Sequence, residues 1–214
     1  IKSEFIENFE AKNLIGYVDG KNNDSIVVIT AHYDHLGKVG ETVFPGASDN
    51  SSGVGMMLAF AKYYSKHRPQ YKTVFIAFAG EEAGLLGADY FVKNPLFDLS
   101  KIKFLVNLDI MGAGEKGIQV VNGKVFKKEF DKLTAINANK NYLAEVKIRG
   151  ESCNSDHCPF YSKGVPSFFI YTLGGKGFYH EPDDTRNNLN LDYSSKVFSL
   201  LRDFINTISS NEVR

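Results

Sequence analysis

Apolar residues along this chain follow two alternating rhythms. Short, nearly continuous runs such as Ile26-Val27-Val28-Ile29 and Val74-Phe75-Ile76-Ala77-Phe78 suit strands covered on both faces. Runs of this type predict strands at 13–18, 25–31, 73–79, 104–108, 117–121, 145–148 and 166–171. Between them the spacing becomes helical. Val54, Met57, Leu58 and Ala61 fall on one face after Gly53, as do Val197, Leu200, Leu201, Phe204 and Ile208 near the end. A third helix is expected over 124–138 and a fourth beginning close to Glu82. Asp19-Gly20, Asn122-Gly123 and Gly174-Gly175 mark turns. Alternating strands and helices favour an α/β domain with a largely parallel sheet. With neither an internal repeat nor a linker-like stretch, the expectation is one domain over 1–214.

Polar residues collect where the apolar runs stop. The second run ends in His32-Tyr33-Asp34-His35, the third in Gly80-Glu81-Glu82 and the fourth in Asn107-Leu108-Asp109. The last passes through a glycine loop into Tyr179-His180-Glu181. Open parallel sheets bind ligands beyond the carboxyl ends of their strands, so these groups are expected on one rim. A fifth candidate, Asp49, sits in Gly46-Ala47-Ser48-Asp49-Asn50-Ser51-Ser52-Gly53 before a helix. That loop lacks the lysine and glycine order of a phosphate loop. It reads as a tight turn aiming Asp49 at the rim.

Imidazole and carboxylate donors without thiolate suit zinc or another divalent first-row ion in a catalytic setting. His32, Asp49, Glu82, Asp109 and His180 exceed what one tetrahedral ion with an open position can use. They fit two ions about 3.5–4 Å apart that share a carboxylate. Two dications would also be balanced by three carboxylates and one hydroxide. Neighbouring side chains at a strand end point in different directions, so of Glu81 and Glu82 one can bind metal while the other faces the cavity as a general base. Asp34, two residues after His32, is placed to accept that ring's other N–H.

Composition narrows the partners. The 214 residues are 43% hydrophobic and 23% charged, with 25 basic and 25 acidic side chains and zero net charge. That balance gives no electrostatic reason to expect nucleic acid or an anionic membrane. No apolar run approaches the roughly eighteen residues that would span a bilayer. The start at Ile1 reads as processing or deliberate trimming of a longer chain, which leaves room for a removed export signal. Cys153 and Cys158 allow a local disulfide or two free thiols and leave the compartment open.

Five ordered blocks resemble the di-zinc aminopeptidase family. They are His32-Tyr33-Asp34-His35-Leu36-Gly37, the Gly46–Gly53 loop, Gly80-Glu81-Glu82-Ala83-Gly84-Leu85-Leu86-Gly87, Asn107-Leu108-Asp109 and Tyr179-His180-Glu181-Pro182-Asp183-Asp184-Thr185. The resemblance implies a three-layer α/β/α sandwich around a mostly parallel mixed sheet. It implies two divalent ions, most simply zinc, a peptide substrate with a free N-terminus, and a secreted or periplasmic, cell-envelope location. By position, Asp49 would bridge the ions, with His32 and Asp109 completing one site and Glu82 and His180 the other. Glu81 would be the base, Asp34 its neighbour's support, and Tyr179 the oxyanion donor. Ser155-Asp156-His157-Cys158-Pro159-Phe160 resembles a segment lining the substrate cleft, which makes Asp156 and His157 substrate-binding candidates. A cis peptide is often found after the bridging Asp, here Asp49–Asn50. Members usually carry a further helical segment before the first strand, where this chain has about a dozen residues.

Two rivals follow from the same blocks. Glutaminyl cyclases share the fold, work with one zinc and commonly place a Trp beside the last His ligand, and this chain has no Trp. Non-catalytic binding modules of this fold typically lose ligands or the base, whereas all are present here. His35 reads as a neighbour of the ligands and His67 as a solvated helix end.

Overall fold

The alternation read from the sequence builds a seven-stranded sheet between two helical layers. The computed structural model describes residues 9–209. In chain order the elements are β1 (Leu14–Val18), β2 (Asn22–His32), β3 (Gly37–Val39), β4 (Thr42–Phe44), a distorted turn over Ala47–Ser52, α1 (Gly53–Lys66), β5 (Tyr71–Phe78) and α2 (Leu86–Lys93). Then come β6 (Ile102–Leu108), β7 (Ile118–Val121), α3 (Lys127–Lys140), β8 (Val146–Ile148), α4 (His157–Ser162), β9 (Ser167–Thr172) and α5 (Ser194–Ser209).

The strand order is β1-β5-β2-β6-β9-β7-β8. β5, β2, β6 and β9 run parallel, as do β7 and β8, while β1 joins β5 and β7 joins β9 antiparallel. The chain leaves β2 for β5 on one side and β6 on the other, which makes the carboxyl end of β2 a topological switch point. Register then sets the rim. His32 pairs with Phe78, and Thr30 with Asn107, so the next residues of all three strands emerge at one level.

Side-chain alternation divides the core between the two faces. Val27, Ile29, Phe75, Phe104, Val106 and Phe168 pack with Phe60 of α1, Leu133 of α3 and Phe204 of α5. Ile26, Val28, Val74, Ile76 and Leu105 pack with Phe91 of α2 and Phe160 of α4 on the other face. Each such aliphatic or aromatic side chain contributes about 1.5–3 kcal/mol by leaving water. The rim therefore rests on a rigid platform. No helix among the described residues is long and apolar enough to cross a membrane.

All seven expected strands are present, with ends shifted by up to three residues. The helix expected near Glu82 instead starts at Leu86, because Gly80, Gly84 and Leu85 have positive φ and cannot join a right-handed helix. Amide groups of Gly84 and Leu85 close a turn on the Glu81 carbonyl instead. The helix expected over 124–138 runs from Lys127 to Lys140. Two additions were not expected: the β3–β4 hairpin and the short α4. Cys153 and Cys158 form a disulfide beside α4, with Cα atoms 4.9 Å apart.

Candidate active site

His32 is the last residue of β2 and is almost fully buried. Its Nδ1 lies 3.2 Å from the Asp34 carbonyl oxygen, which favours the tautomer that leaves Nε2 facing the rim. Nε2 is 3.2 Å from Asp49 Oδ1 and 3.3 Å from Asp109 Oδ1. Across Asp49, His180 Nε2 is 3.2 Å from Oδ2 and 3.0 Å from Glu82 Oε2. The Asp49 carboxylate thus has one oxygen toward each histidine. The structure brings the five expected donors into two groups that share it: His32, Asp49 and Asp109, and Asp49, Glu82 and His180 with His35.

Several donor atoms on the second side have no hydrogen-bond partner although they are buried: His180 Nε2, Glu82 Oε1 and both ring nitrogens of His35. Buried polar atoms are ordinarily satisfied, so atoms that converge without bonding each other mark a place for a cation. The spacings agree. Two ligand atoms on one tetrahedral zinc lie about 3.4 Å apart, close to the separations of His32 and His180 from their carboxylates. The His35–Glu82 pair is tighter, at 2.7 Å between Nδ1 and Oε1. The separation is short, but no hydrogen bond forms across it, so His35 stands with Glu82 in the second donor group.

The backbone explains how these side chains are aimed. Asp49 sits in a turn entered through Gly46 at φ 63 and followed by a cis Asp49–Asn50 peptide. Asn50 locks the turn to the strand end: its amide donates to the Leu108 carbonyl, and its oxygen accepts the Gly53 and Ile110 N–H groups. Asp34 braces the next strand. Its carboxylate accepts the Glu81 N–H at 3.1 Å and the Glu82 N–H at 3.2 Å, and lies 3.8 Å from His32 Nδ1. The expected contact between Asp34 and the His32 ring is therefore made by its carbonyl rather than its carboxylate.

Electrostatics follow from the crowding of acids. Burial opposes charge on His32, but hydrogen bonds to Asp109 and Asp49 outweigh it and push the imidazole up to about 12. Burial pushes Glu81 up to about 8, with the His32 charge opposing and the carboxylates of Asp109, Glu82 and Asp49 reinforcing. Tyr179 is raised to about 12, by burial first and then by the same carboxylates. Its ring stacks on His180 at 3.8 Å and remains 59% exposed, open to a ligand.

Asp156 and His157 lie behind the donors, with no exposed surface. His157 Nε2 lies 2.8 Å from the Ser152 carbonyl oxygen, and burial pushes its pKa down to about 4. Burial holds the Asp156 carboxyl well above its usual range, against the lowering effect of His32. The same segment contributes a residue that sequence reading passed over. Ser155 donates to Asp109 Oδ2 at 2.7 Å and accepts from Asn107 Nδ2, whose Oδ1 accepts from Thr30, also at 2.7 Å. Asp184 is a second omission: its carboxylate binds the Ser48 and Asp49 amides. The only sequence signal for either was membership of a block noted for other residues. A small cavity of about 80 Å³ opens beside Asp49, lined by Ile110, Ala113, Thr172, Phe178 and Tyr179. The larger apolar groove between α1 and α5, lined by Met56, Leu189 and Phe198, contains none of the donors.

Known proteins resemble this chain in sequence and fold. Residues 13–205 match the profile of peptidase family M28. Aminopeptidase YwaD of Bacillus subtilis is 30% identical over 206 residues, which cover 86% of this chain and 42% of YwaD. The chain thus spans less than half the length of that relative. Among solved structures, the zinc aminopeptidase BSAP of Bacillus subtilis superposes with TM-score 0.78 at 26% identity, covering 94% of this chain and 51% of BSAP. A glutaminyl cyclase from an Acidobacteriales bacterium superposes with TM-score 0.80 at 23% identity, covering 92% of this chain and 73% of the cyclase, and shares the fold.

Proposed function

The chain belongs to peptidase family M28, and on that premise we propose that it is the catalytic domain of a metalloaminopeptidase using two divalent ions, most simply zinc. The observation that supports the reading is the sharing of Asp49 between two groups of converging donors, with one carboxylate oxygen 3.2 Å from the histidine of each. His32, Asp49 and Asp109 would hold one ion, and Asp49, Glu82 and His180 the other. Bound there, the ions would supply Lewis acidity and lower the pKa of a coordinated water.

The chain's own groups account for the proton traffic. Glu81 is not needed as a ligand, and it stands among His32, Asp109, Glu82 and Asp49. It takes a proton from the attacking water and later delivers it to the departing amine. Tyr179, protonated at neutral pH, donates to the oxyanion that develops on the scissile carbonyl. The acidic rim favours a free α-ammonium group, and the small cavity beside Asp49 suits the first side chain of the substrate.

The test pairs zinc analysis with Glu81→Gln. The variant should retain two zinc ions per chain, because its backbone N–H still holds Asp34. Its kcat on an amino-acid anilide should fall by about 10²–10⁴. Activity within tenfold of wild type would remove Glu81 as the base. An N-acetylated anilide cut as fast as the free one would remove the aminopeptidase assignment. Cyclisation of an N-terminal Gln peptide by a protein holding one zinc would favour the cyclase reading.

A further inference from the structure

Asp184 lies four residues after His180 and is only 3% exposed. Neither donor group includes it. Its Oδ1 accepts the Ser48 N–H at 2.8 Å and its Oδ2 the Asp49 N–H at 3.0 Å, while its carbonyl accepts the Ala47 N–H at 3.1 Å. Three successive amides of the 47–49 turn therefore end on one residue. The left-handed Gly46 turns the chain so that these amides point the same way, the geometry of a backbone anion nest. Buried carboxylates persist where such charge-assisted bonds replace water.

We propose that Asp184 is a positioning residue for the metal site. It clamps the turn that presents Asp49 to the loop that presents His180, and so fixes the shared carboxylate relative to the histidine across from it. The inference rests on the two-ion reading above. Other features point the same way. The adjacent Asp183 is exposed whereas Asp184 is buried against the turn, so the function belongs to one of the two acids. The turn has its own separate tether to the sheet through Asn50. The clamp is thus not required to hold the turn against β6; its distinctive effect is to join the two donor-bearing loops.

Asp184→Asn keeps the volume but sets an amide NH₂ against one of the two backbone N–H groups, and Asp184→Ser removes both acceptors. Each should bind zinc about 10–100-fold more weakly in competition with a chromophoric chelator, the loss found for groups that orient metal ligands. The decisive readout is the gap between zinc-free and zinc-loaded unfolding midpoints. Losing the two amide bonds lowers the zinc-free midpoint in either case; a positioning role shrinks the gap as well, whereas a purely folding role lowers both midpoints equally and leaves the gap unchanged. Wild-type zinc affinity in both variants would overturn the proposal, as would zinc-free forms that have already lost their fold. A wild-type chain that binds no zinc would sink the metal reading itself together with this inference. Two ions in wild type with an unchanged gap in the variants would sink this inference alone.

Discussion

Ser155→Ala removes one oxygen from a buried relay running from Thr30 through Asn107 and Ser155 to Asp109. Thr30, Asn107 and Ser155 have no exposed surface and Asp109 has 6%. Without the hydroxyl, one N–H of the Asn107 amide loses its acceptor and Asp109 Oδ2 loses its donor. Each orphaned group costs about 1–3 kcal/mol, so the pair costs about 2–6 kcal/mol. The hole left by a single oxygen is too small for a replacement water. A central value of about 4 kcal/mol lowers the unfolding midpoint by about 8–16 °C in a chain of this size. Thermal unfolding of the zinc-free protein, followed by circular dichroism, isolates this cost from any metal effect. Zinc affinity should fall as well, by about 10–100-fold, because Asp109 loses the bond that fixes its second oxygen. A zinc-free midpoint within about 2 °C of wild type would refute the argument, since it would mean that the relay is not satisfied as the distances indicate.

Three further outcomes follow from the same geometry. In the zinc-free protein His32, at about 12, carries its proton at pH 7, and Glu81, at about 8, largely does too. Zinc must displace the His32 proton, so affinity should weaken as pH falls, by about tenfold per unit for each proton displaced. Calorimetry in buffers of different ionisation enthalpy reads that release, and zinc binding without it would contradict the His32 assignment. The charged His32 also stabilises the zinc-free fold below its ordinary pKa of 6.5, a contribution lost as pH rises through about 12. Gly53→Ala should destabilise the fold by about 1–3 kcal/mol, because a Cβ there overlaps the Asn50 side-chain oxygen and the Leu108 carbonyl. The usual helix gain of Ala over Gly is at most about 1 kcal/mol and does not offset that overlap. Denaturant unfolding showing equal or greater stability would contradict this.

The strands were legible because β2, β5 and β6 are apolar on both faces, a pattern that only a sandwiched strand needs. The donors were legible because a charged residue at the end of such a run has nowhere to go but the rim. The β3–β4 hairpin escaped notice because its strands are three residues each and almost wholly exposed, so burial imprints no alternation on them. The onset of α2 was misplaced because Leu85 looks like a helix former while its φ of 61 belongs to a turn closed on Glu81. Ser155 and Asp184 act on partners 46 and 135 residues away in sequence, one a carboxylate and the other a backbone amide. Periodicity carries no record of either pairing. The Asp34 carboxylate was assigned to a ring and binds two amides instead, for the same reason: spacing gives proximity but not direction.

The order of the donors along the chain has a consequence for synthesis. His32, Asp49 and Asp109 all precede β7, so the donors of that trio leave the ribosome first, with Ser155, which fixes Asp109, following after β8. The other group waits for His180, beyond β9, and for Asp184 to close on the turn. On the two-ion reading, the first pocket is thus supplied with its donors before the second. A product truncated before the last loop would lack His180 and Asp184, and on that reading its metal content would fall to one ion at most.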